Sequence, residues 1–471
     1  MRKALLLATA LVASGPAWAA DGASSAANAI AQDATTRPLT PEERAQAIQE
    51  LQDLRARMTR LENVLGLPNE IATPVPVPPA PRKEGDNNLT LYGFIQADAI
   101  QDFNRVNPNW DATLRPSRIP TVKGQFGSDG QSVFSVRQSR LGAKADGTLA
   151  GKPYEAKFEF DLFGVGVDEG QTTIRIRHAY ASWGPFLAGQ TNSLFMDGDL
   201  FPNTVDYWGP AGMVFLRNPQ FRWTFWNRNG WKAAVALEHP GNDIDTGNLR
   251  LIDETIASNI RNDEKVPDAT AQVRYEGKWG HVQLSGILRR VGYETVGVDS
   301  TNEPKGHRTG WGVNLGSSFN VSLATARIGA VYGRGIASYM NDGGMDLAPN
   351  VAVIPAPPPD IGLILVPSAE AVKLFGWTSY IDFNWSKQWT SSIGYSFDKV
   401  WNTNFQTDTA FHKGQYASVN LLWHPESNVF TGGELLWGKR TDNDGNSGKD
   451  VRFQYSFHWD FSSKNIWDLL D

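Results

Sequence analysis

Arg175 and Arg177 stand two residues apart, with apolar Ile174 and Ile176 alternating with them. In an extended chain both guanidinium groups therefore fall on one face and both isoleucines on the other. By the same parity Arg222 joins that polar face from a later segment. Arg137 and Arg140 differ in parity, so on an unbroken strand only one of them joins, and we take Arg140. The stretch 195–213 between these segments carries Asp197, Asp199 and Asp206 among bulky aromatics and Gly/Pro breaks. It reads as a loop folded against a wall, the alternative being a lid turned outward. Arginine offers a planar fork of donors that matches a carboxylate bidentately. A row of such forks opposite loop acids sets a transverse field, the chemistry of a passage selective for small anions, carboxylates first. A blander reading stands beside it. Glu159, Asp161, Glu238, Glu276, Asp382, Asp398, Glu434 and Asp460 share the polar face and roughly balance the bases, so many of these charges simply pair.

The elements that must position this row are strands. Sixteen strand-like segments fall at 89–100, 132–145, 155–163, 172–183, 186–194, 214–226, 231–239, 268–277, 281–293, 308–318, 322–334, 371–386, 390–400, 413–424, 428–438 and 450–461. The gaps between them alternate short and long along most of the chain, which places successive turns on opposite sides of a membrane. The last segment shows the face rule at its cleanest. Phe453, Tyr455, Phe457, Trp459 and Phe461 are all aromatic, whereas Arg452, Gln454, Ser456, His458 and Asp460 are all polar. The chain carries 17 Trp, 12 Tyr and 23 Phe, many of them near the expected strand ends, as an aromatic girdle requires. The fold class is thus an all-β transmembrane barrel of 16 antiparallel strands, wide enough for an aqueous channel unless something narrows it. Residues 101–131, 195–213, 240–267, 294–307, 335–370, 401–412 and 439–449 form its long polar connections. Small residues such as Gly93, Ala97, Ala99, Gly142 and Ala143 interrupt the alternation in strands 1 and 2, which suits a subunit interface.

Ahead of the barrel, Arg2, Lys3, an apolar run from Ala4 to Ala13 and a small-residue site at Ala17 to Ala19 mark residues 1–19 as an export signal. Residues 20–39 are Ala-, Ser- and Thr-rich without periodicity and read as disordered. A helix over 40–66 starts with Thr40 as cap, Pro41 in the first turn and Glu42 and Glu43 at the positive end of the dipole. Leu51, Leu54, Met58, Leu61 and Leu65 follow a 3, 4, 3, 4 spacing, a heptad seam for a short coiled coil that self-associates. The alternative is a lone amphipathic helix against another surface. Residues 67–86 form a Pro-rich linker, 87–461 the barrel and 462–471 a tail.

Several function classes are excluded or weak. The chain has no cysteine, so no disulfide or thiolate site is available. Its seven histidines show no metal-ligand spacing, and no GxSxG elbow appears. Asp442 to Gly445 lacks the downstream acid of a calcium loop. We therefore expect no metal, no cofactor and no catalysis, and nothing in a chain of net charge −6 points to nucleic acid. The mean hydropathy of −0.36 does not argue against a barrel, because lumen-facing residues dilute the lipid-facing ones.

The chain resembles the DcaP-like trimeric outer-membrane porin family. The resemblance rests on the helix-plus-proline N-terminal region, on Leu91 to Phe94, and above all on Arg177, His178, Ala179 and Tyr180, leading through Gly184 to Phe186, Gly189 to Thr191 and Phe195 to Asp197. It spans most of residues 40–461. It implies a sixteen-strand homotrimer in outer-membrane lipid, a periplasmic N-terminal coiled coil, and passive uptake of small anionic solutes such as dicarboxylates. One departure is visible: such porins commonly finish on a strand-ending aromatic, which serves as an assembly signal, whereas here Ser462 to Asp471 continue past Phe461. The rival reading is a structural barrel tethered to the cell wall or a periplasmic partner through residues 40–66, with conduction incidental.

Overall fold

Alternating residues that face lipid and water form strands that cannot leave an edge open in a bilayer, so the chain must close on itself. It does so in the computed structural model, which describes residues 87–164, 174–297, 304–357 and 361–463. The expected signal peptide, the stretch 20–39, the coiled coil with Leu51, Leu54, Met58, Leu61 and Leu65, the whole Pro-rich linker and most of the tail lie outside the described residues.

The strands are β1 (Asn88–Asp102), β2 (Gln131–Ser135 and Arg140–Leu149), β3 (Lys152–Asp161), β4 (Arg175–Trp183), β5 (Phe186–Asn192), β6 (Arg217–Arg228), β7 (Trp231–Glu238) and β8 (Ile260–Asn262 and Asp268–Gly277). They continue as β9 (Gly280–Thr295), β10 (Gly306–Val321), β11 (Ala324–Arg334), β12 (Lys373–Asn384), β13 (Trp389–Trp401), β14 (Phe411–Glu426), β15 (Val429–Asp442) and β16 (Ser447–Ser462). Eighteen hydrogen-bonded segments make sixteen staves, because β2 and β8 are each interrupted once. Every neighbour is antiparallel, and β16 closes the ring on β1 from Tyr92↔Ser462 to Asp102↔Arg452. Parity holds as expected on β16: Phe453, Tyr455 and Phe457 are 43–49% exposed outside, while Arg452, Gln454 and Ser456 are fully buried inside.

The short turns carry their own local logic. At Asn229 and Gly230 both residues have positive φ, 54° and 79°, the backbone that joins two right-twisted strands through two residues. The opposite end carries the long loops. One expected long connection, 439–449, is instead a tight hairpin: the β15–β16 ladder runs on to Thr441↔Ser447. Another, 335–370, holds a separate hairpin of Leu347–Pro355 with Leu363–Ala371, apolar and exposed over its outer half.

A further correction concerns β2. The expected unbroken strand over 132–145 leaves the ladder between Ser135 and Arg140, so parity restarts there. Arg137 and Arg140 both turn inward as a result. Arg137 is buried and donates to the Gly164 carbonyl, while Arg140 approaches Glu159 at 3.6 Å.

The interior is filled chiefly by three loops. Residues 193–216 fold inward, and so do residues 106–119 and the first part of 335–372, two of the long polar connections. Phe195 and Met196 pack with Ile336, Tyr339 and Met340 against Val331, Leu374 and Val400 of the wall. Val106, Leu114 and Ile119 pack against Tyr380, Tyr416 and Leu436. Inward glycines permit the approach. A Cβ at Gly312 would lie 2.9 Å from the Phe195 ring, and one at Gly376 would collide with the Gly212 carbonyl.

Candidate pore site

The loops leave a cavity of about 990 Å³ between themselves and the wall β2–β6. On that wall Glu159 and Asp161 of β3 gather the bases of adjacent strands. Arg177 donates from Nε to Glu159 at 2.9 Å and from Nη1 to Asp161 at 2.7 Å. Arg175 reaches Asp161 at 3.2 Å, and Lys157 and Arg140 reach Glu159 at 3.1 and 3.6 Å. Tyr92 of β1 donates its hydroxyl to Glu159 at 2.8 Å.

A β-bulge in β4 shapes this group. Glu159 pairs with His178 and Phe160 with Ile176, so Arg177 is the extra residue. Bulges re-aim side chains, and here Arg177 and the adjacent His178 both line the cavity. His178 is fixed through Nδ1, 3.0 Å from the Thr191 hydroxyl. From loop 193–216, the Tyr207 hydroxyl donates to Asp161 at 2.6 Å and accepts from Arg177 at 3.1 Å. Its ring stacks on Phe163 at 3.8 Å, with Arg137 over the Phe163 ring and Arg175 over the Tyr207 ring at 4.5 and 5.0 Å.

Arg217, which strand parity does not single out, completes the wall. It opens β6, lines the cavity and lies over the Phe215 ring at 4.7 Å. Among the described residues no carboxylate comes within 4 Å of it, and its Nε is buried without a hydrogen-bond partner. Parity counted back five positions from Arg222 would have turned it outward, but Arg217 is the first residue of β6, where the chain comes out of loop 193–216, and it lines the cavity from there. Arg140, Lys157, Arg175, Arg177 and Arg217 thus face two carboxylates, Glu159 and Asp161, an excess of three positive charges.

The remaining residues of the expected row stand elsewhere. Arg222 lies outside this cavity and donates to the Gln220 side chain at 3.0 and 2.8 Å and to the Asn192 carbonyl. Asp197 is buried on the β8–β9 side, 2.7 Å from His281 Nε2 and 3.3 Å from Arg274, and it caps Gly198–Leu200 by accepting from the Asp199 amide. Asp199 is exposed and pairs with the same Arg274, while its carbonyl accepts from Arg327. The ligand atoms of Asp197, Asp199 and His281 lie within 4.8 Å of one another, but Arg274 already supplies the cation there. Asp206 borders the cavity yet is buried. It accepts from the Thr113 hydroxyl and the Leu114 amide at 2.8 and 3.0 Å, and from the Gly209 amide and Tyr416 hydroxyl at 3.2 Å. Burial pushes its carboxyl above the usual range despite these donors.

The loop side of the cavity has a different character. Arg115 is held between the Trp110 and Trp208 rings at 4.2 and 4.0 Å and paired with Asp342 at 3.0 Å. Arg118 and Asp243 carry no ion pair among the described residues, whereas Arg440 pairs with Asp442 at 2.6 Å. Burial and the neighbouring Asp346 hold Asp243 above the usual carboxylate range. Around the whole cavity, eight Arg and Lys face five Asp and Glu.

The sequence matches the family model of the DcaP outer membrane protein over residues 75–341. The crystal structure of the outer membrane channel DcaP of Acinetobacter baumannii superposes with a TM-score of 0.65 at 22% identity, covering 81% of this chain and 99% of that one. OmpT of Vibrio cholerae follows at 0.48 and 11%, with 80% and 99% covered. An anion-selective porin from Comamonas acidovorans gives 0.47 and 11%, with 80% and 100% covered. No curated protein matches the sequence. The family match spans more than half of the 471 residues and falls on a closed sixteen-strand barrel, a channel rather than an enzyme, so the chain belongs to the DcaP outer membrane protein family.

Proposed function

We propose that this porin passes small anionic solutes by passive diffusion, carboxylates leading, and that the wall of Arg140, Lys157, Arg175, Arg177 and Arg217 selects them. The observation that carries this reading is the excess of three positive charges on that wall, with Arg217 unpaired. A carboxylate entering the cavity meets guanidinium forks whose acids are already shared, so it gains charge-assisted hydrogen bonds without displacing an ion pair. The acids and bases of the loop side complete a transverse field that favours solutes with separated charge.

In this reading the loop at 195–213 narrows the pore, and its three carboxylates serve as anchors rather than solute contacts. Asp197 and Asp199 tie it to Arg274 and His281, and Asp206 ties it to residues 113–114 and β14. Arg222 braces the Asn192 carbonyl where the loop begins. The short turns face the periplasm and the long loops the exterior, as is general for such barrels. Small outward residues on β1–β5, among them Ala97, Ala143, Ala181 and Ala188, support a homotrimer packed through that sector, with residues 40–66 self-associating in the periplasm and Phe461 as the assembly signal.

The test is a planar-bilayer recording of the purified protein across a salt gradient. The expected reversal potential favours anions and shifts when mono- or dicarboxylates block chloride. A reversal potential favouring cations overturns the reading.

A further inference from the structure

Four lysines occupy the outer surface of β13–β16 close to the long-loop end: Lys399, Lys413, Lys439 and Lys449. The ladders set Lys399 directly opposite Lys413, and Lys439 directly opposite both Gln415 and Lys449. Like charges directly opposite on one face repel. Among the described residues no carboxylate comes within 4 Å of any of the four, since Asp398, Asp442 and Asp450 on the same strands are buried on the inner face. Two of them are held by rings instead: Lys399 lies 5.6 Å from the centroid of Trp401 and Lys413 lies 5.1 Å from that of Phe397. The surface beside them toward mid-strand is apolar, with Tyr395, Leu435 and Phe453 exposed.

We infer that this quartet is a phosphate-binding site for an anionic, phosphorylated glycolipid of the outer leaflet. Four unpaired cations on a lipid-facing surface demand anions, and at that depth the anions available are headgroup phosphates. The ammonium group is a compact point charge suited to phosphate. The apolar surface alongside accounts for a lipid rather than a free ion, because only a lipid brings acyl chains to cover it. The inference rests on the sidedness proposed above, with the long loops outside.

The test measures lipid retention by the purified full-length protein in detergent, using native mass spectrometry with bisphosphorylated lipid A, its dephosphorylated form and inorganic phosphate. Each lysine near an anionic surface is worth a factor of about five, so K413Q/K439Q lowers lipid A affinity roughly thirtyfold. Removing the lipid's phosphates has a comparable effect on the wild-type protein, millimolar inorganic phosphate does not displace lipid A, and single-channel conductance is unchanged. Equal lipid A affinity in wild type and K413Q/K439Q overturns the site. Displacement by inorganic phosphate makes it a free-ion site and also overturns the lipid assignment. Sidedness is read separately: the chain has no cysteine, so D444C in the β15–β16 turn gives a single thiol. Labelling of this thiol in intact cells by an impermeant maleimide supports the outer leaflet, and protection from it overturns that assignment.

Discussion

Two sides of this barrel are rich in arginine and use it differently. On the loop-filled side Arg289 donates to Asp268 and Asp346 at 2.8 and 3.2 Å and to the Gly335 carbonyl at 2.7 Å. Arg452 lies fully buried between Asp102 and Asp450 at 2.8 and 3.2 Å, and Arg327 meets Asp382 at 2.7 Å. Those cations are matched by acids and backbone carbonyls, and they hold loops to wall. On β2–β6 four cations share two carboxylates, a fifth, Arg217, has none within 4 Å among the described residues, and all five border the cavity. Residue type is the same on both sides; the count of partners separates a fastener from a candidate solute contact.

The largest test of that contrast is stability. Arg452→Leu strands Asp102 and Asp450 without a counter-ion, and breaking one partner out of a buried pair costs about 3–5 kcal/mol. Thermal unfolding in detergent is expected to show that loss for Arg452→Leu and almost none for Arg217→Gln. Equal losses would erase the distinction between the two sides.

Selectivity is expected to move the other way. Arg217→Gln removes one of three excess charges, and one unit charge at contact distance in a water-like medium is worth about 1 kcal/mol, a factor of roughly five. The anion-to-cation permeability ratio should fall by that order, read from reversal potentials, whereas Arg327→Gln on the loop-filled side should leave it nearly unchanged. A smaller effect is expected of Tyr207→Phe, which removes the hydroxyl joining loop 193–216 to Arg177 and Asp161 and so loses about 1 kcal/mol of anchoring. Added open-channel noise at unaltered selectivity is the expected signature.

The smallest expected effect is on pH. Burial holds the loop carboxyls Asp206 and Asp243 above their ordinary range. The folded state therefore keeps protons that the unfolded state releases, and stability falls as pH rises from the ordinary carboxylate value of about 4 through the raised values. Mild acid should quiet loop fluctuations in single-channel records, and Asp206→Asn should reduce that response. A record whose noise grows in mild acid contradicts the assignment.

Much of this was legible in residue types. The alternation of Phe453 to Phe461 with Arg452 to Asp460, the number of strands and the inward parity of Arg175 and Arg177 all follow from a period of two that any strand obeys. Other features escaped, among them Arg217, which lines the cavity in place of Arg222, and three that tertiary geometry explains. The break between Ser135 and Arg140 lets both Arg137 and Arg140 face inward, against the parity count. The bulge at Arg177 admits His178 to the cavity. The inward fold of residues 106–119 was hidden because Leu114 and Ile119 are too few to mark a buried element, and their burial depends on glycines such as Gly438 far along the chain.

The sequence alone therefore determined a closed barrel, its two faces and the inward turn of Arg175 and Arg177, because strand periodicity is local and a bilayer leaves no other way to satisfy the backbone. Only the tertiary structure decided which arginines find carboxylates and which remain unmatched. Pairing depends on residues hundreds of positions apart, as Arg452 and Asp102 are, and on loops whose path is set by the shape of the wall they fill.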